Sequence, residues 1–142
     1  MIVLQASEIA GEAMQRGSNC CEAILIAANT IWDLDLSQDT FAAASLFKEG
    51  MGSGCACGAL VGMVMASGIY RARLGLSKDE KFAARLHKRF KQEFKSSCCL
   101  VLLKNQTLLE RLGNMGCISM TSKAAALLVE EWKNDHCYHP YL

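Results

Sequence analysis

The chain has 142 residues, eight of them cysteine, with 51% hydrophobic residues and a formal net charge of +1. So high an apolar content excludes a disordered chain, and near-neutral charge gives no basis for bulk electrostatic capture of nucleic acid or an anionic membrane. A chain this long can bury one core without cross-links, and its dominant Ala, Leu, Met, Lys and Glu favour helix.

The N-terminal stretch Met1-Ile2-Val3-Leu4-Gln5 lacks a basic region followed by a long apolar run, so no secretory signal is expected. Residues Ser7 to Arg16 read as a first helix, with Ile9, Ala10, Ala13 and Met14 on one face and Gly17 ending it. Asn19 caps a second helix, and Glu22 stands three positions on as in a capping box. Ile24, Ala27, Ala28, Ile31 and Trp32 give that helix a broad apolar surface. Ser37 opens a third helix, expected to run through Lys48, before the Gly-rich break Gly50-Met51-Gly52-Ser53-Gly54.

The most apolar segment, Gly58 to Tyr70, is shorter than the roughly 20 residues a membrane span needs, so it reads as a buried helix continuing to Leu74. Gly62, Ala66 and Gly68 would let neighbouring backbones approach it closely. Ser77-Lys78-Asp79-Glu80 reads as a capping box for a long helix to Lys95, with Phe82, Leu86, Phe90 and Phe94 as its apolar stripe. Lys78, Lys81, Arg85, Lys88, Arg89, Lys91 and Lys95 would form its wet face, and His87 is expected to be solvated. Short helical pieces around Cys99–Leu103 and Thr107–Leu112 follow. Gly113 to Gly116 then breaks the chain ahead of a last helix from Thr121 to Asn134. The expected fold is all-α: one multi-helix bundle over residues 1–142, with a Gly/Cys-rich loop. A cytoplasmic location is expected, with no membrane insertion and no nucleic-acid partner.

In a reducing compartment, cysteine-rich chains more often bind metal or perform thiol chemistry than hold structural disulfides. The cysteines stand at Cys20-Cys21, Cys55-Ala56-Cys57, Cys98-Cys99, Cys117 and Cys137, with no C-x-x-C among them. That removes the zinc-ribbon, thioredoxin and c-type haem signatures. Adjacent helical residues point about 100° apart, so one ligand from each of several segments is the simple geometry. Cys20, Cys57 and Cys99 fall at expected helix starts and Cys117 just before one. Unpaired N–H groups and the helix dipole at such places favour thiolate. Cys21, Cys98 and Cys137 read as packing or surface residues. Cys55, two residues from Cys57, is a possible substitute ligand. His136 and His139 flank Cys137-Tyr138 in a terminal tail.

Cys57-Gly58-Ala59-Leu60-Val61-Gly62 matches a CGAxxG motif, and here the chain resembles the C_GCAxxG_C_C family of redox-active proteins. The resemblance runs end to end. Gly17-Ser18-Asn19-Cys20 matches the family's first cysteine. Cys99 with Leu102-Leu103 matches the third, and Cys117 before Ala124-Ala125-Ala126 the fourth. A frame starting at Gly54 fails, because Ala59 stands where the motif's last glycine belongs. The resemblance implies a redox role, and a similar module in split-Soret cytochromes implies compatibility with an iron–sulfur centre.

The leading expectation is a redox protein in which Cys20, Cys57, Cys99 and Cys117 ligate an iron–sulfur cluster, of [2Fe–2S] type, for electron transfer. The first alternative is a cofactor-free thiol/disulfide oxidoreductase with Cys57 as the reactive, catalytic thiolate. The second is a structural zinc or interaction module. A redox partner protein is expected, its identity open, and the apolar content suits a homodimer.

Overall fold

The structure is a computed structural model that describes residues 1–135. The described residues form helices and turns with no strand: α1 (Ile2–Gln15), α2 (Cys20–Trp32), α3 (Gln38–Ala44), α4 (Gly58–Arg73), α5 (Glu80–Phe94), α6 (Cys99–Lys104), α7 (Leu108–Arg111) and α8 (Met115–Asn134). The all-α expectation holds. A π-type turn, Gly50–Gly54, precedes α4, and a 3-10 turn, Leu112–Asn114, precedes α8.

The core lies among α1, α2, α4, α5 and α8. Its direction is readable from its two ends. At one end, Trp32 closes α2, Tyr70 lies in the last turn of α4, Phe82 opens α5 and Trp132 lies near the end of α8. Trp32 stacks on Tyr70 with ring centres 4.3 Å apart, and Trp132 meets both Tyr70 and Phe82 at 4.8 Å. Arg71 is buried beside this cluster and bonds Asp135 at 3.4 Å. The helices α2, α4 and α8 therefore all start at the opposite end, about 18–25 Å away at 1.5 Å per residue. Cys20 and Cys117 lie in the first turns of α2 and α8, and Cys57 is the residue that precedes α4. The chain reaches that end through α1 before α2, through the α3 segment before α4 and through α5 before α8, so three cysteine-bearing N-termini gather there.

Several boundaries differ from the sequence expectation. The first helix starts at Ile2 rather than Ser7, because Ile2 and Val3 pack on the core although no capping residue marks the start. The third helix stops at Ala44 rather than Lys48, its end held by the Asn19 amide, which donates to the Ala44 and Ser45 carbonyls at 3.1 Å each. The cap of α5 is Asp79 rather than Ser77: its carboxylate accepts the Phe82 N–H at 3.1 Å. Two of the expected wet-face cations are engaged in ion pairs: Arg85 with Asp79 and Asp135, and Arg89 with Glu130 and Glu131. The last helix begins at Met115 rather than Thr121. Gly116 is buried in its first turn instead of breaking the chain. Among the described residues no helix is long and apolar enough to cross a membrane.

Candidate redox site

Two glycines explain how α4 delivers Cys57. A Cβ on Gly62 would stand 2.9 Å from both the Cys21 carbonyl and the Ile24 Cβ, and one on Gly58 would stand 2.6 Å from the Phe47 carbonyl. Spaced four apart, both face α2, so the motif glycines set the close approach of the two helices. Gly68, grouped with them on sequence, is exposed and has nothing within 4 Å. The Gly-rich turn is likewise unequal in its parts. Gly50 has φ +61°, and its Cβ position is filled by Cys55 backbone and by the Cys99 Cβ at 2.8 Å. Gly52 touches nothing within 4 Å. Only Gly50 presses on a site cysteine.

Cys20 is the first residue of α2, held by a complete capping box: Asn19 Oδ1 accepts the Glu22 N–H at 2.8 Å, and Glu22 accepts the Asn19 N–H at 2.9 Å. Cys57 is the N-cap residue of α4 and is 2% exposed. Its N–H donates to the Ser97 carbonyl at 2.8 Å, which ties α4 to the segment leading into Cys99. Cys99 opens α6, and Cys117 is the third residue of α8. Cys117 thus lies inside the last helix, not ahead of it.

These four are neighbours in space. Cys20 feels the charges of Cys117 and Cys99, Cys57 feels those of Cys20 and Cys99, and Cys99 feels that of Cys117. Cys20, Cys99 and Cys117 line a cavity of about 220 Å³ together with Met14, Leu103 and Asn114, and Cys57 lies buried behind them. Among the described residues, no three His, Cys, Asp or Glu side chains are arranged to hold a metal ion. Three of the four thiols thus border a cavity and the fourth is buried.

The other cysteines separate from this group. Cys21 is fully buried and its sulfur contacts that of Met65 at 3.8 Å, so the adjacent pair Cys20-Cys21 faces two ways as helical geometry requires. Cys98 caps α6 and donates to the Gly54 carbonyl at 3.1 Å, pinning the Gly-rich turn. Cys55 is exposed. All seven described cysteines are free thiols. Cys137, with His136 and His139, lies outside the described residues.

The thiol electrostatics correct one expectation. Burial pushes Cys20 up to about 11 and Cys57 up to about 12, and Cys99 is raised as well. The helix N-terminus does act in the expected direction, since the N–H groups of Ala59 and Leu60 lower Cys57. Desolvation outweighs them because it acts on the whole thiolate charge, and neighbouring sulfurs add repulsion. A buried, weakly acidic Cys57 runs against its use as an attacking thiolate.

Two residues at the site carried no sequence signal for it. The Gln106 amide donates to the Cys117 sulfur at 3.5 Å and sits over Gly116, where a Cβ would meet it at 2.6 Å. Thr121, one turn after Cys117 on α8, is 0% exposed, and its hydroxyl stands beside the Cys20 sulfur. Asn19 was legible as a cap but not as the tie to α3. The segments around the site also carry large apolar side chains left exposed, among them Met51, Leu100, Leu108, Leu109 and Met115.

No curated protein and no solved structure matches the chain. Residues 18–131 match the profile of the family described as "Putative redox-active protein (C_GCAxxG_C_C)". That span runs from the residue before the Asn19 cap to the last turns of α8 and contains all four gathered cysteines, so the chain belongs to the C_GCAxxG_C_C family.

Proposed function

We propose that the protein is an electron-transfer protein in which Cys20, Cys57, Cys99 and Cys117 ligate an iron–sulfur cluster of [2Fe–2S] type. The observation that carries this reading is the gathering of four thiols from four separate segments at one end of the bundle, beside a cavity. Four thiolates are the usual ligand set for such a cluster. When bound, a [2Fe–2S] cluster accepts and gives up one electron.

The chain's own residues have definable parts in this reading. Their thiols are hard to ionise without a partner, and direct coordination by a cation deprotonates a thiol outright. This favours ligation over free thiolate chemistry at Cys57. Cys57, with α4 behind it, closes the inner side against water, and the cavity mouth lined by Cys20, Cys99 and Cys117 faces an electron-exchange partner.

Anaerobic purification, or reconstitution with iron and sulfide, followed by iron and acid-labile sulfide analysis tests this. The expected result is about two of each per chain with a visible thiolate-to-iron absorption, lost in Cys20→Ser, Cys57→Ser, Cys99→Ser or Cys117→Ser and retained in Cys21→Ala. A colourless, iron-free protein after reconstitution would overturn the reading, and stoichiometric zinc with folding lost on chelation would replace it by the structural one.

A further inference from the structure

The Thr121 hydroxyl is the one buried side-chain polar atom among the described residues that completes no hydrogen bond. The side chain is 0% exposed, so water does not serve it. A threonine inside a helix ordinarily returns its hydroxyl to the carbonyl four residues back, here that of Cys117, and Thr121 does not. A buried hydroxyl without a partner is unfavourable, and valine has nearly the same shape without the liability. What lies beside the hydroxyl is the sulfur of Cys20, across the contact between α2 and α8. A neutral thiol is a weak acceptor, whereas a thiolate is a strong one, and a hydrogen bond to an ionised acceptor is roughly twice as strong as one between neutral groups.

We propose that Thr121 is a positioning residue for the redox site, its hydroxyl held unpaired in the core so that it donates to the Cys20 sulfur once that sulfur is a metal-bound thiolate. This rests on the cluster reading above. The donor is fully buried and does not line the cavity, so it acts where solvent does not. Hydrogen bonds to ligand sulfur stabilise the more negative, reduced state and so raise the reduction potential. Gln106 stands in the corresponding relation to Cys117, already bonded at 3.5 Å, so two of the four sulfurs have a neutral side-chain donor beside them.

The test compares wild type, Thr121→Val and Thr121→Ser, using reconstituted protein for redox titration and metal-free protein for the other measurements. Thr121→Val is expected to fold with a urea midpoint equal to or above wild type, because it removes an unsatisfied buried hydroxyl. Its reduction equilibrium is expected to shift about tenfold toward the oxidised form, which is 59 mV for a one-electron couple. Thr121→Ser restores most of the shift. In the metal-free chain, site-resolved alkylation of Cys20 at fixed pH is expected to be at least threefold slower in Thr121→Val than in wild type or Thr121→Ser. A purely structural threonine would lower the urea midpoint and leave both readouts unchanged, and that result overturns the proposal. If wild type takes up no cluster, the cluster reading fails, and the alkylation comparison alone decides whether Thr121 serves the Cys20 sulfur.

Discussion

Replacing Gly62 by alanine probes the contact that sets Cys57 against Cys20. The added methyl would lie 2.9 Å from the Cys21 carbonyl and 2.9 Å from the Ile24 Cβ, both well inside ordinary van der Waals contact. Neither neighbour is the far end of a flexible side chain, so α2 and α4 must move apart. Overpacking of this kind costs about 1–3 kcal/mol. Against it stands the gain in helix propensity, about 1 kcal/mol for Gly→Ala. Gly68 lies on the same helix, is exposed and has nothing within 4 Å of its Cβ position, so Gly68→Ala collects the propensity gain alone. The difference between the two variants cancels propensity and isolates the steric contribution. In urea denaturation of the metal-free protein, Gly62→Ala is expected to be about 1–3 kcal/mol less stable than Gly68→Ala. Iron uptake on reconstitution should also fall in Gly62→Ala and not in Gly68→Ala. Equal stabilities within about 0.5 kcal/mol, a typical surface-substitution effect, would refute the claim that the motif glycines set this approach.

Arg71→Met leaves Asp135 buried beside the aromatic cluster with Arg85, 3.8 Å away, as a remaining cation. A loss of about 3 kcal/mol in chemical denaturation is expected, at the lower end for a broken buried pair. Asn19→Ala removes a cap and two bonds to the end of α3, and is expected to destabilise by about 2–4 kcal/mol. Asn19→Asp keeps the cap but not the two donors, so it should fall between wild type and the alanine variant, and a wild-type midpoint for it would count against the tie to α3. For the reduced, metal-free protein, the half-buried thiol of Cys20 and the buried thiols of Cys21 and Cys57 keep their protons to about 11, 12 and 12 when folded, against 9.0 in an exposed thiol. The unfolded chain therefore releases protons first as pH rises through 9, and stability must fall between pH 9 and 12 by up to about 1.4 kcal/mol per pH unit for each such thiol. A urea midpoint that does not change from pH 8 to 10.5 would refute those burial effects. At neutral pH, alkylation followed by peptide mass spectrometry should label exposed Cys55 first and Cys21 and Cys57 last.

Helix order was legible from local signals because those signals act within one or two turns. The Asn19/Glu22 box, the apolar run of α4 and the four-residue stripe of α5 each specify a segment without reference to any other. Boundaries went astray where a distant contact outweighed the local signal. Ile2 and Val3 are drawn into helix by the core they touch, and Met115 starts α8 six residues ahead of the expected position because Gly116 is packed under Gln106 rather than left as a break.

The four cysteines could be named from the motif because Cys57-Gly58 and Gly62 carry a spacing tied to helix geometry. Their gathering follows from the shared polarity of α2, α4 and α8. Only the tertiary structure decided their surroundings. Helix N-termini, readable from sequence, lower a thiol, but the depth of burial that raises it depends on residues far away in the chain. Thr121 and Gln106 show the same limit. Threonine or glutamine in a helical stretch has no distinguishing pattern, and its meaning comes from which sulfur the fold sets beside it. Sequence by itself thus determined the helical segments and, through the family motif, which four cysteines to look for, because both are carried by short stretches of chain. The tertiary structure determined how those sulfurs are solvated and what touches them, because desolvation and hydrogen bonding are sums over neighbours that only folding brings together.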